Sequence, residues 1–517
     1  MQEVGLSFSR RELLRTFALT GAGTALSTLW PQSPLVGDAS AEPWGDYPAG
    51  LAGTVVPVKN RPKNILEIFL QGGICPWETF YVVENFGKAD QTMWWTFQKD
   101  IGKEPGVPAF FASCGFNQPL LQQFAVDAAG SLVQLGPFVA PLRARKDIID
   151  RMRTIVMSHD SEAHQVAVPL GLTGYVLGSP RMAGVGAAVN HYFQTHDPTT
   201  KLPFAYVLST SPRGSGPFEA SFATGQHPSA SRPPCVFLNT GLEFSSQLLR
   251  KNMGALKDPA DALLAAYQAE YRQHLIAPGT SLPVRSAAFD AEEQAAAMLA
   301  KSAEMAALFT PENFDQAMGS SCNYTSYVAT PKMQLDLAVH LLNSPNNQIK
   351  HITVVDTALK QSSNGVYDTH QHHIRDSATN MLYFTQQLVD HINAPGEKDP
   401  KKLNLDETLI ILNTEFGRTI GPQFVTGRNH WPKAYTQQWI GGPIGVTQKG
   451  IVGSIDSAGL ATGGIKPSWS RAAVLACLGI YPFANENFSI SEFGGTAFSK
   501  EAQACIWLRE QFLGLKP

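Results

Sequence analysis

Asn64-Ile65-Leu66-Glu67-Ile68-Phe69-Leu70-Gln71-Gly72-Gly73 is the stretch on which the fold turns. A short, mostly apolar run stopped by a glycine pair reads as a buried strand ending in a tight turn. Similar runs recur downstream at Thr154–Met157, Phe204–Leu208, Cys235–Leu238, His351–Val355 and Thr408–Leu412. Between them, Met333–Leu342 and Ser377–Ile392 place apolar residues at helical spacing. Strands alternating with helices predict an α/β layered fold with a mainly parallel central sheet. Residues 42–62 are rich in Pro and Gly and read as a linker into this body. Residues 255–310, Ala-rich near 290–308, read as largely helical and as an inserted cap.

The bulk composition narrows the function classes. Of 517 residues, 44% are hydrophobic and 16% charged, a globular balance able to bury a core. Forty basic residues against forty-three acidic ones give a net charge of −3 and no basic stripe, which argues against a nucleic-acid partner. Residues 1–41 carry the parts of a twin-arginine signal peptide in order. Ser9-Arg10-Arg11-Glu12-Leu13-Leu14-Arg15 is the paired-arginine region, Thr16–Leu29 a mildly apolar run, and Ala39-Ser40-Ala41 a small-x-small cleavage site. The apolar run is shorter than the about 20 residues that span a bilayer, so it reads as an address and not an anchor. The expectation is therefore a periplasmic or extracellular protein, handled by the Tat export machinery and without a membrane span once the signal is removed. The six cysteines, Cys75, Cys114, Cys235, Cys322, Cys477 and Cys505, show no C-x-x-C pair; buried thiols and at least one disulfide both remain open.

In parallel α/β sheets, sites form at the carboxyl ends of strands, and polar clusters stand at those places here. They are Gly72-Gly73-Ile74-Cys75-Pro76-Trp77-Glu78, Ser158-His159-Asp160-Ser161-Glu162-Ala163-His164, Asp368-Thr369-His370-Gln371-His372-His373 and Asn413-Thr414-Glu415-Phe416-Gly417-Arg418, with Gly427-Arg428-Asn429-His430-Trp431 shortly after. Carboxylates supply charge and neutral imidazoles supply nitrogen, the mixture that a hard-to-borderline divalent metal takes. Each cluster has a plainer reading too. Asp368–His373 can be a solvated loop, Glu415 and Arg418 a structural ion pair, and His164 or His430 a hydrogen-bonded structural histidine.

The joint order of these motifs resembles the DUF1501 family of secreted bacterial proteins, which is similar in fold to alkaline phosphatases and sulfatases. The residues that carry the resemblance are Gly72-Gly73, His164 through Leu172-Thr173-Gly174, Asp368-Thr369-His370, Thr414-Glu415-Phe416-Gly417-Arg418-Thr419, Gly427-Arg428-Asn429-His430-Trp431-Pro432, and Gly441-Gly442 with Gly453-Ser454-Ile455-Asp456. The resemblance implies a three-layer alkaline-phosphatase-like domain over residues 63–517, with a helical insertion around 245–330. It also implies two divalent ions (zinc, manganese or calcium) over the sheet edge. Asp368 with His372 or His370, completed by His430, would hold one; Glu415 and Glu78 would hold the other. Two such ions would polarise a phosphoryl or sulfuryl oxygen of a small-molecule or polymer ester.

The departures from the superfamily are specific. Cys75 and Glu78 stand in the loop where many relatives carry Asp. No cysteine fits the C-x-P-x-R pattern of a formylglycine sulfatase. Counting back from Thr173-Gly174 to the nucleophile position lands on His164, with Ser161 as the nearby alternative. The expected function is thus an exported metal-dependent hydrolase of phosphate or sulfate esters. The alternative is a non-catalytic secreted binding protein that keeps the hydrolase fold.

Overall fold

In the computed structural model, the described residues are 43–84, 86, 112, 121–177, 179, 184–196, 206–210, 235–237, 259, 262–263, 266–267, 269–270, 330–343, 349–358, 367–421, 423–424, 426–484, 487–494 and 500–516. The signal region, Cys114, Cys322 and nearly all of the predicted helical insertion lie outside them. The few described positions between 259 and 270 are helical.

Twelve strands carry the argument: β1 (Asn64–Leu70), β2 (Gln122–Val126), β3 (Leu132–Leu135), β4 (Met152–Met157), β5 (Tyr206–Thr210), β6 (Cys235–Phe237), β7 (His351–Asp356), β8 (Thr408–Asn413), β9 (Gly417–Arg418), β10 (His430–Trp431), β11 (Tyr435–Gly441) and β12 (Gly450–Val452). Eight of them form one sheet in the order β12-β4-β11-β8-β1-β7-β5-β6. β11 runs antiparallel to both its neighbours, and every other pairing in the sheet is parallel. β2 with β3 and β9 with β10 make separate two-stranded ribbons.

β1 lies inside the sheet because both of its faces are apolar. Leu66, Ile68 and Leu70 point to one side, where they join a core with helices α3 (Thr330–Asn343) and α4 (His373–Asp390). On the other side Ile65 packs in a core with α2 (Val185–His196) and α5 (Pro467–Cys477), and Phe69 meets Val168 and Leu172 of α1 (His164–Thr173). Helices therefore cover both faces, as a parallel sheet requires. Glu67, the one charge in β1, is buried against Arg471 of α5 and accepts from Asn413 Nδ2 at 2.8 Å. Those partners offset what an unpaired carboxylate would cost there.

Of residues 42–62, expected as a linker, 44–62 lie along this body. Trp44, Tyr47 and Leu51 pack against its core, and Ala49–Thr54 and Val58–Asn60 are short 3-10 helices. Among the described residues, no helix is long and apolar enough to cross a membrane. Cys75, Cys477 and Cys505 are buried free thiols.

The strand directions bring the polar clusters to one edge. β1, β4, β7 and β8 all end there, and antiparallel β11 begins there, directly after the β9–β10 ribbon. The Gly-Gly turn after β1 is tight for a physical reason. Gly72 has φ +114°, and a Cβ on it would lie 2.4 Å from Asp368 N.

Candidate metal centre

His164 is the first residue of α1, Asp368 and His370 lie in the turn before α4, and His430 opens β10. Glu415 follows β8. Folding places all five together although the chain separates them widely. His370 Nε2 is 3.0 Å and His430 Nε2 3.2 Å from Asp368 Oδ1, and His164 Nε2 is 3.4 Å from Asp368 Oδ2. The two nitrogens His370 Nε2 and His430 Nε2 are 3.0 Å apart. His164, Asp368 and His430 offer ligand atoms within 4.8 Å of one another and can hold a metal ion.

The far side of each imidazole decides what its Nε2 presents. His164 Nδ1–H donates to Glu415 Oε1 at 2.9 Å, and His430 Nδ1–H donates to the backbone oxygen of Glu162 at 2.6 Å. His370 Nδ1–H donates to Gln423 Oε1. Each ring thus has its Nδ1 on an oxygen and turns its Nε2 toward Asp368, the orientation that metal-bound histidines take. Protons on these nitrogens, or a cation among them, join the rings to the carboxylate. The buried His164 Nε2 is not aligned with Asp368 for a hydrogen bond and has no hydrogen-bond partner. Tetrahedral ligands on bonds of about 2 Å lie about 3.3 Å apart, close to the spacings seen here. Phe416 stacks on His430 with ring centres 4.4 Å apart and fixes its plane.

The electrostatics fit the same reading. Burial opposes ionisation of Asp368, yet the three imidazoles and Arg418, whose NH2 is 2.6 Å from Oδ1, hold its carboxyl well below the usual range. Burial would lower the pKa of His164, but Asp368 and Glu415 lift it to about 9. Burial pushes His430 down, against the contact with Asp368.

A second group, Cys75, Glu78 and His373, also has ligand atoms within 4.8 Å and can hold a metal; all three residues are buried. Glu78 carries Arg428 on Oε1 and faces His373 Nε2 at 3.5 Å from Oε2. Burial pushes the Cys75 thiol up and the His373 imidazole down to about 4.

The sequence-predicted residues divide accordingly. Asp368, His370, Glu415, His430 and His164 come together, and Glu78 stands in the second group. His372 is exposed, with φ 50° at the cap of α4, and lies in neither group; the buried histidine of that triplet is His373. Ser161 enters through its backbone N–H, which donates to His159 Nδ1 at 3.0 Å. Among the described residues its hydroxyl makes no hydrogen bond to the centre. Sequence reasoning did not single out Gln423, Arg428 or His373 as site residues. Gln423 carries no signal of its own, whereas Arg428 and His373 stand inside motifs already noticed.

A family model described as "Protein of unknown function (DUF1501)" matches residues 62–468. No curated protein matches the chain, and no solved structure does.

Proposed function

The chain belongs to the DUF1501 family, and from that premise we propose that it is a divalent-metal-dependent hydrolase of phosphate or sulfate esters with an alkaline-phosphatase-like fold. We propose further that it reaches the periplasm or the extracellular space by the twin-arginine route, as residues 1–41 suggest. The observation that carries the enzymatic reading is the convergence of the Nε2 atoms of His164, His370 and His430 on Asp368. Three nitrogens and one oxygen favour zinc, then manganese, over calcium, which prefers oxygen ligands throughout. When bound, the ion would supply Lewis acidity toward the ester oxygen and an acidified water.

The chain's own groups have assignable tasks. His164, His370, His430 and Asp368 hold the ion, Glu415 orients His164, and Arg418 pins Asp368. The contact of its Nδ1 with Glu415 and of its Nε2 with Asp368 supports a ligand role for His164 over that of a covalent nucleophile.

The alternative, a secreted binding protein without activity, draws on one feature. Asp368 and Glu78 each already bear a guanidinium, so the site can stand as a salt-bridged network. Metal analysis followed by a panel of phosphate and sulfate esters separates the two. Bound metal with turnover supports the hydrolase; metal without any turnover favours the binding protein.

A further inference from the structure

The resemblance implies a second ion on Glu415 and Glu78, and both carboxylates already carry partners that compete with one. Glu415 Oε1 accepts from His164 Nδ1 at 2.9 Å and from the Gly72 N–H at 2.7 Å, and Thr414 Oγ1, which donates to the Leu70 carbonyl at 2.8 Å, lies 3.2 Å from its Oε2. Glu78, 1% exposed, is clamped by the Arg428 guanidinium. That carboxylate is already neutralised, and a dication pressed against a buried guanidinium would add like charge in a dry interior.

We propose that Arg428, Glu78 and His373 form a brace for the metal centre in place of a second ion, with Thr369 as the residue on which the brace acts. Arg428 works in two directions. Its guanidinium holds Glu78, and its backbone N–H donates to the Thr369 carbonyl at 3.2 Å. Glu78 faces His373 Nε2 at 3.5 Å, and His373 Nδ1 meets the Thr369 hydroxyl, with Ser377 Oγ 3.2 Å from the same nitrogen. Thr369 stands between Asp368 and His370, and Arg428 stands two positions before His430. A single connected network therefore sets the backbone that carries Asp368, His370 and His430. Arg418 closes it, since its NH1 donates to the Arg428 carbonyl at 3.2 Å while its NH2 holds Asp368 at 2.6 Å. Glu78, His373 and Thr369 are positioning residues.

The inference rests on the metal reading of His164, Asp368 and His430. It is tested by titrating zinc ion into the chelator-treated full chain, with bound metal counted by mass spectrometry. Wild type and Glu78→Gln are expected to bind about one ion each, the variant more weakly because it loosens the link to Arg428. Thr369→Val keeps the side-chain shape without the hydroxyl and is expected to bind zinc roughly ten- to a hundredfold more weakly. Thr369→Ser restores the hydroxyl and is expected to restore the affinity, which a mere packing role for the methyl would not do. Should Glu78→Gln fail to fold, Cys75→Ala takes its place, again with one ion expected. Two ions on wild type and one on either variant would make the second group a metal site and overturn the brace. Unchanged affinity in Thr369→Val would overturn it as well. No zinc on wild type would instead bring down the metal reading, and the brace with it.

Discussion

Glu415 Oε1 and His164 Nδ1 lie 2.9 Å apart, across 251 positions of sequence. The carboxylate comes from the end of β8 and the imidazole from the start of α1. Their contact fixes which His164 nitrogen faces Asp368. Glu415→Gln keeps the shape and can still accept, but its weaker acceptor leaves the His164 ring less well oriented. Zinc affinity is expected to fall roughly ten- to a hundredfold, measured by competition with a chromophoric chelator. Equal affinity in variant and wild type would detach Glu415 from the centre.

Gly72 is where the central strand meets the site. Its φ of +114° and the backbone of Tyr367 and Asp368 against its Cβ position leave no room for a side chain. Gly72→Ala is expected to lower stability by about 2–4 kcal/mol through strain and overpacking, and to weaken zinc binding by displacing Asp368. Urea unfolding checks the first and zinc titration the second; an alanine variant as stable as wild type would contradict the close approach.

Asp356, at the end of β7, is buried beneath the edge and is pushed up to about 6 by that burial, against hydrogen bonds from Tyr367 OH and Ala358 N. A raised folded-state pKa means that the unfolded chain loses its proton first. Stability from this group is present below about pH 4 and declines as pH rises through about 6. The loss is on the order of 3 kcal/mol at neutral pH. Asp356→Asn removes the ionisation, so its stability advantage over wild type is expected to grow by about 1 kcal/mol between pH 5 and pH 8. Urea midpoints at the two values check it; an advantage that shrinks with rising pH has the wrong sign.

Much of this frame was legible in the chain. β1, β4, β7 and β8 announce themselves as apolar runs because parallel interior strands need apolar residues on both faces. The clusters after them share an edge because those strands run the same way. β11 was not legible. Gln437 and Gln438 break its apolar pattern, yet both are buried, because Gln437 Nε2 finds Asn413 Oδ1 at 2.5 Å and Thr154 Oγ1 finds Gln438 Oε1 at 2.6 Å. Partners distant in sequence cannot be read locally. The same limit applied to the histidine triplet. The left-handed turn at His372 sends that residue outward and His373 inward, and spacing alone does not reveal it. Gly427 was noticed only as part of a motif. Its Cβ position falls 1.7 Å from the His370 carbonyl oxygen, which is why no larger residue fits beside the site.

Export is a separate matter from the fold. On the proposed twin-arginine route, replacing Arg10 and Arg11 by Lys is expected to leave unprocessed precursor in the cytoplasm, because the pair would be the address that the transport machinery reads. Fractionation and immunoblotting check it. Mature protein outside the cytoplasm in normal amount would remove the twin-arginine assignment.

The central claim is that His164, His370, His430 and Asp368 hold a divalent ion, and metal counting on the purified chain tests it most directly. Wild-type protein titrated with zinc and freed of excess is expected to retain about one ion per chain, and Asp368→Asn well below half of that. A wild type that retains no zinc, manganese or calcium, or an Asp368→Asn variant that retains as much as wild type, would contradict the account.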